Sequence, residues 1–302
     1  TVTSTSATGC TTVSSFTLQG FTAVAPSALS YSPASQTVRQ GTAITNMTPT
    51  ASGGAVASYS INPALPAGLT FNTATGEISG TLTSAQTGTV NYTITATNSG
   101  GSTTATVTLI FNTAPTDLAL NTTSVAENAA SATTVGTLSA TDADAGDTFT
   151  YSLVSGTGST DNASFTIDGS TLKTAAVFDF ETKTSYSVRV RVTDAGGLSF
   201  EKALTISVTN VNEAPTNISA SASSVLENAT SGTTVGTLAG TDADAGDTFT
   251  YAFVSGTGST DNASFSIAGS TLSTAAVFDF ETKNSYAVRV RVTDAGGLSF
   301  ER

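Results

Sequence analysis

Histidine and tryptophan are both missing from this 302-residue chain. The first absence excludes Ser-His-Asp catalysis, Cys-His catalysis and histidine-ligated zinc within the sequence. The second, with only seven tyrosines, leaves little material for an exposed aromatic platform. Cysteine occurs once, at Cys10, so no disulfide can form within the chain and its domains must hold by core packing, with or without metal. Charge is also scarce: 11% of residues carry it, against ~25% in ordinary soluble proteins. Lysine and arginine number 10 against 22 acids, a net charge of −12. That surface repels a polyanion, so nucleic acid is excluded as a partner. The apolar runs are strand-sized, and no membrane span is expected in the segment. The chain opens on Thr1 and stops partway through a repeat, so both ends read as cut and the lack of a signal peptide means little.

What the chain does contain is repetition. Residues 117–202 and 217–302 are one unit written twice at an offset of 100. Glu127, Asp142, Asp144, Asp179, Glu181 and Asp194 recur as Glu227, Asp242, Asp244, Asp279, Glu281 and Asp294. Residues 1–112, by contrast, hold one acid, Glu77, and one base, Arg39. At ~100–150 residues per domain the length alone suggests two or three domains, and the repeat favours three.

The local pattern is β throughout. Tyr186, Val188, Val190 and Val192 alternate with Ser187, Arg189, Arg191 and Thr193, so one face is buried and the other, with its arginine pair, is solvated. Val90, Tyr92, Ile94 and Ala96, then Val107, Leu109 and Phe111, form a hairpin closed at Gly100-Gly101. Turn signals fall every 8–12 residues, and no helix longer than a turn is expected. The prediction is an all-β tandem array of antiparallel Greek-key β-sandwiches at 26–112, 113–215 and 216–302, the last cut before its final strand. Residues 1–25 read as a linker or the tail of an upstream domain.

Two resemblances refine this. The run from Leu65 to Leu82, followed by YTITATNSGGS, resembles the Ig-like domains common in large bacterial surface proteins, which implies a sandwich without chemistry. Residues 117–215 resemble a cadherin repeat of the bacterial type. Its motifs appear in order as Glu127-Asn128, Asp142-Ala143-Asp144, Asp179-Phe180-Glu181, Asp194 before a glycine turn, and the linker Asn210-Val211-Asn212-Glu213-Ala214-Pro215. The copy from Asn217 carries the first four.

That resemblance implies calcium as the cofactor, at the joint of the second and third modules. It places Glu127, Asp179 and Glu181 on one side, Asp242, Asp244 and Asp294 on the other, and Asn210, Asn212 and Glu213 in the linker. Seven of these are carboxylates, whose mutual repulsion two or three calcium ions would compensate. The linker departs from the usual Asp-x-Asn-Asp-Asn-Ala-Pro, which leaves one ligand fewer. Asp142, Asp144 and Asp194 at the first joint, and Glu227, Asp279 and Glu281 at the far end, are weaker candidates. The first joint, with linker NTAPT and no carboxylates from the first module, is expected to be poorer in metal and more mobile. Asp147, Asp161 and Asp168 are read as caps of their own turns. An EF-hand in DADAGD is rejected, because Leu153 stands where that loop needs glutamate.

Function follows as an expectation: calcium-binding structural or adhesive stalk modules of a bacterial surface or secreted protein, placed outside the cell. Their partners would be other domains of the same larger protein, with a cell-surface protein or carbohydrate as a further one. Two alternatives stay open, direct ligand recognition (homophilic or of carbohydrate) and accessory domains of a secreted hydrolase. No catalysis is expected of the chain itself, since its paired carboxylates belong to the calcium motif.

Overall fold

The computed structural model describes all residues except 1, 6, 10, 16–19 and 21, so Cys10 lies outside the described residues. The chain is all-β, a tandem series of sandwiches; the only helical turns among the described residues are the 3-10 turns Asn162–Ser164 and Asn262–Ser264. It divides into two compact units, one of Thr1–Ala119, Ser139–Ser152 and Arg191–Lys202, the other of Leu120–Leu138, Leu153–Val190 and Ala203–Arg302.

The first unit opens with the hairpin Val2–Thr5 and Thr11–Ser14, followed by the Ig-like sandwich. Gly88–Asn98 and Gly101–Asn112 pair antiparallel, with Gly101 opposite Asn98 and Phe111 opposite Gly88. The expected alternation is present: Tyr92, Ile94, Ala96, Val107, Leu109 and Phe111 are buried, and Val90 packs against the same core. Ser35–Arg39 joins this sheet in parallel on one side and Ser58–Asn62 antiparallel on the other. The core they cover includes Leu29, Met47, Ile78 and Leu82. Each such side chain contributes roughly 1.5–3 kcal/mol by leaving water. In the same unit Thr116 N donates to Thr141 O at 2.8 Å. Arg191 is exposed, as the alternation predicted, and forms a two-pronged pair with Glu201 at 2.9 and 2.6 Å.

In the second unit, Thr134–Thr141 pairs with Thr171–Thr174, which pairs in turn with Phe165–Asp168. On the other sheet Ser124–Ala126 runs parallel to Ser199–Thr209, Val125 lying opposite Val208. Val188, Val190, Leu172 and Ile206 are buried as their alternation predicted. Phe165, Phe178 and Tyr186 form an aromatic group, with Phe178 and Tyr186 stacked at 4.2 Å. Residues 217–301 repeat the first sheet with four strands and the second with three, without a strand corresponding to Ser124–Ala126, and they repeat the aromatic group as Phe265, Phe278 and Tyr286. Asp161 is not a cap of its own turn. It accepts from Ser187 N at 2.8 Å, and Lys183 approaches its other oxygen at 2.5 Å.

Candidate metal centres at the linkers

The two linkers leave the last strands of their sandwiches as Asn112-Thr113 and Asn210–Thr216, and acids converge on both.

At the second linker, Glu127 is buried, 3% exposed. Its Oε2 accepts from Phe180 N at 2.7 Å and its Oε1 from Val211 N at 2.8 Å, so one carboxylate holds the turn after Phe178 and the linker together. Ligand oxygens of Glu127, Glu181 and Glu213 lie within 4.8 Å of one another. Asp179 stands apart from this trio. It caps its own turn, accepting from Thr182 N at 2.9 Å and Thr182 Oγ1 at 2.8 Å.

A second trio, Asp242, Asp247 and Asp294, closes to the same limit. The linker plugs into it: Asn212 Nδ2 donates to Asp294 Oδ2 at 3.0 Å, and Glu213 N donates to Asp244 Oδ2 at 2.8 Å. Asn210, Asn212, Asp244 and Asp247 line one open cleft. Every residue assigned to this joint from the sequence is therefore near it, with Asp179 turned to a local hydrogen bond. Asp247, which the sequence reading did not single out, belongs to the cluster.

Several of these oxygens are out of water with no donor. Asp242 Oδ2, Asp244 Oδ1, Asp247 Oδ2 and Glu213 Oε2 are buried and unpartnered. A buried polar atom left without a hydrogen bond costs a few kcal/mol, and an ionised one more. The electrostatics agree. Burial pushes the Glu213 carboxyl up against the pull of its Asn128 hydrogen bond, and Glu127, Asp244 and Asp179 push it further. Desolvation and the charges of Glu127 and Glu213 likewise raise Glu181. Hard anionic oxygens, crowded and short of donors, fit a hard divalent cation that accepts six to eight oxygens in loose geometry.

The first linker uses the same frame with different groups. Asn112 Nδ2 donates to Asp194 Oδ2 at 3.0 Å and Thr113 N to Asp144 Oδ2 at 2.7 Å. Asp142, Asp147 and Asp194 form the trio, with Asp142 Oδ2 and Asp147 Oδ2 unpartnered. Asp144, however, is fully served: Thr113 Oγ1 donates at 2.9 Å and Gly88 N, from the Ig-like sandwich, at 3.0 Å. Burial works to raise its carboxyl, but these bonds from Thr113 and Gly88 outweigh it and hold it below the usual carboxylate range. Where the second joint has Glu213 and a bare Asp244 oxygen, the first has Thr113 and a hydrogen-bonded one.

The far-end trio Glu227, Asp279 and Glu281 also meets the 4.8 Å limit, but all three are exposed. Glu227 keeps one bond, from Phe280 N at 3.1 Å.

Tandem sandwiches whose short linkers lead into acidic clusters define a class of repeat protein. The cadherin domain family matches residues 121–209 and 221–300, together more than half of the chain, and the chain belongs to that family. The family described as "Putative Ig domain" matches residues 25–112. No curated protein matches the chain. Among solved structures, mouse Protocadherin-24 EC1-3 is 18% identical with a TM-score of 0.50, over 96% of this chain and 97% of that one. PcdhgB3 EC1-4 is 20% identical with a TM-score of 0.50, over 89% and 72%. The Protocadherin GammaB4 extracellular domain is 21% identical with a TM-score of 0.44, and the chain spans about half of it, 48%. At these identities the likeness is one of fold.

Proposed function

We propose that residues 26–112, 113–215 and 216–302 are successive extracellular spacer modules of a larger bacterial surface or secreted protein, and that calcium fixes the angle at the 210–216 linker. Cadherin and Ig-like domains are adhesive or structural modules, and no helix among the described residues is long and apolar enough to cross a membrane. The observation that carries the calcium reading is the set of unpartnered buried oxygens on Glu213, Asp242, Asp244 and Asp247. Glu127, Glu181 and Glu213 would hold one ion, and Asp242, Asp247 and Asp294 another. Asp244 stands beside Glu213, and Asn210 and Asn212 offer neutral oxygens in the adjoining cleft. Calcium supplies no reaction there; it neutralises charge and cross-links the segments that bring the ligands. Other domains of the same protein are the proposed partners, and the role is mechanical rather than catalytic.

Extracellular modules bind calcium at ~10⁻⁴–10⁻³ M. At 100 times the dissociation constant one site adds about 2.7 kcal/mol, seen as a rise in melting temperature that chelator reverses. Identical melting in calcium and in chelator, with no saturable heat at millimolar calcium, would falsify the assignment.

A further inference from the structure

Glu127-Asn128 is one motif of the repeat, yet only Glu127 belongs to the acidic trio at the second linker. Asn128 follows it with a φ of +57°, and Asn228, at the same place in the third repeat, has a φ of +54°. Both backbones are held alike: Asn128 N donates to Phe178 O at 2.9 Å and Asn228 N to Phe278 O at 2.8 Å. Asparagine tolerates this left-handed conformation better than most residues, and glycine adopts it freely. If backbone conformation were all that mattered, glycine would serve as well.

The side chain of Asn128 does more. Its Nδ2 donates to Glu213 Oε1, across 85 positions of sequence. Glu213 Oε2, the oxygen left over, is buried with no donor. Glu127 meanwhile accepts from Phe180 N and Val211 N. Two neighbouring residues thus grip the linker at two points, Val211 by its backbone and Glu213 by its carboxylate. A glutamate left free samples many rotamers, and a cation that must select one of them binds more weakly than one that meets a preorganised ligand.

We propose that Asn128 is a positioning residue for calcium at the second linker: it tethers one oxygen of Glu213 and turns the other toward Glu127 and Glu181 before the ion arrives. The inference rests on the calcium reading given above. Loss of a residue that orients a metal ligand typically costs about 10–100-fold in affinity, and the exposure of Asn128 sets the expectation at the lower end.

Asn128→Gly is the informative variant, because it keeps the left-handed backbone and removes only the amide. Calcium calorimetry on the full chain should show roughly tenfold weaker binding at this linker, while the melting temperature in chelator stays within about 2 °C of the parent. In a Glu213→Ala background the same change should add nothing. Asn228→Gly, the same substitution on the same backbone geometry, should leave affinity at the linker unchanged. In metal-free protein the Asn128 side-chain amide protons should exchange slowly, and faster in Glu213→Ala. Parent-like affinity in Asn128→Gly, or an equal loss in the Glu213→Ala background, overturns this inference and leaves the calcium reading standing. A parent that binds no calcium overturns both.

Discussion

Asn212 Nδ2 lies 3.0 Å from Asp294 Oδ2, and Asn112 stands in the same relation to Asp194, also at 3.0 Å. Each asparagine rests on a glycine of the turn that follows its aspartate. A Cβ at Gly296 would meet Asn212 Oδ1 at 2.2 Å, and one at Gly196 would meet Asn112 Oδ1 at 2.1 Å. Neither glycine has the positive φ that an L side chain avoids. Space for the linker, not backbone conformation, is what requires glycine there.

Gly296→Ala should therefore destabilise the second joint by about 1–3 kcal/mol, the usual cost of forcing a methyl group into a filled site. In an Asn212→Ala background the same change should cost much less. A double-mutant cycle by denaturant unfolding reads the coupling, and additive effects would show that the glycine acts elsewhere.

The two joints should answer differently to loss of the second aspartate of the Asp-x-Asp motif. Asp144 accepts three hydrogen bonds from Thr113 and Gly88, so Asp144→Ala should cost about 1–3 kcal/mol in chelator and in calcium alike. Asp244 carries an unpartnered oxygen, and Asp244→Asn keeps an acceptor for Glu213 N. That variant should melt within about 0.5 kcal/mol of the parent in chelator and lose most of the calcium-dependent rise.

Glu127 and Glu227 form a natural control pair. Glu127→Ala removes a buried carboxylate from two backbone N–H groups and should cost about 1.5–3 kcal/mol in chelator, as for hydrogen bonds to charged groups. Glu227 is exposed and accepts only from Phe280 N, so Glu227→Ala should fall below about 0.5 kcal/mol. Equal costs by urea unfolding would mean the Val211 contact contributes nothing.

Acid sensitivity should map to Asp161. Burial tends to raise its carboxyl, but Lys183 and the Ser187 N–H outweigh that and hold it below the ordinary value. A depressed carboxylate stabilises the fold above its unfolded pKa, and that stability is lost as pH falls through the folded one. The parent should lose melting temperature below about pH 4. Asp161→Asn should start lower and show a shallower acid slope across the same window.

The sandwiches were legible because period-2 alternation reports burial directly. Tyr92, Ile94 and Ala96 in one strand, and Val188, Val190 and Val192 in another, are inward where the pattern put them. The joint was legible through motifs that share a spacing with a known repeat. Asp147 and Asp247 were missed because one oxygen of such a residue does what a turn aspartate does: Asp147 Oδ1 accepts from Thr148 N at 3.1 Å. The other oxygen, buried and without a donor, leaves no mark in the sequence. The Gly88 N–H on Asp144 was also out of reach, since a donor 56 residues upstream is set by how the sandwich ends and not by any local pattern.

Thr113 and Glu213 each donate a backbone N–H to an aspartate of the repeat that follows, and the preceding asparagine adds a second, side-chain bond. An Ig-like sandwich and a cadherin repeat thus present the same two-pronged connector to the module that follows. A connector whose shared part is one backbone N–H and one asparagine lets sandwiches of unrelated sequence be exchanged, duplicated or inserted ahead of a repeat without refashioning the repeat that receives them. In such a chain, length and module order are free to vary while the coupling stays constant.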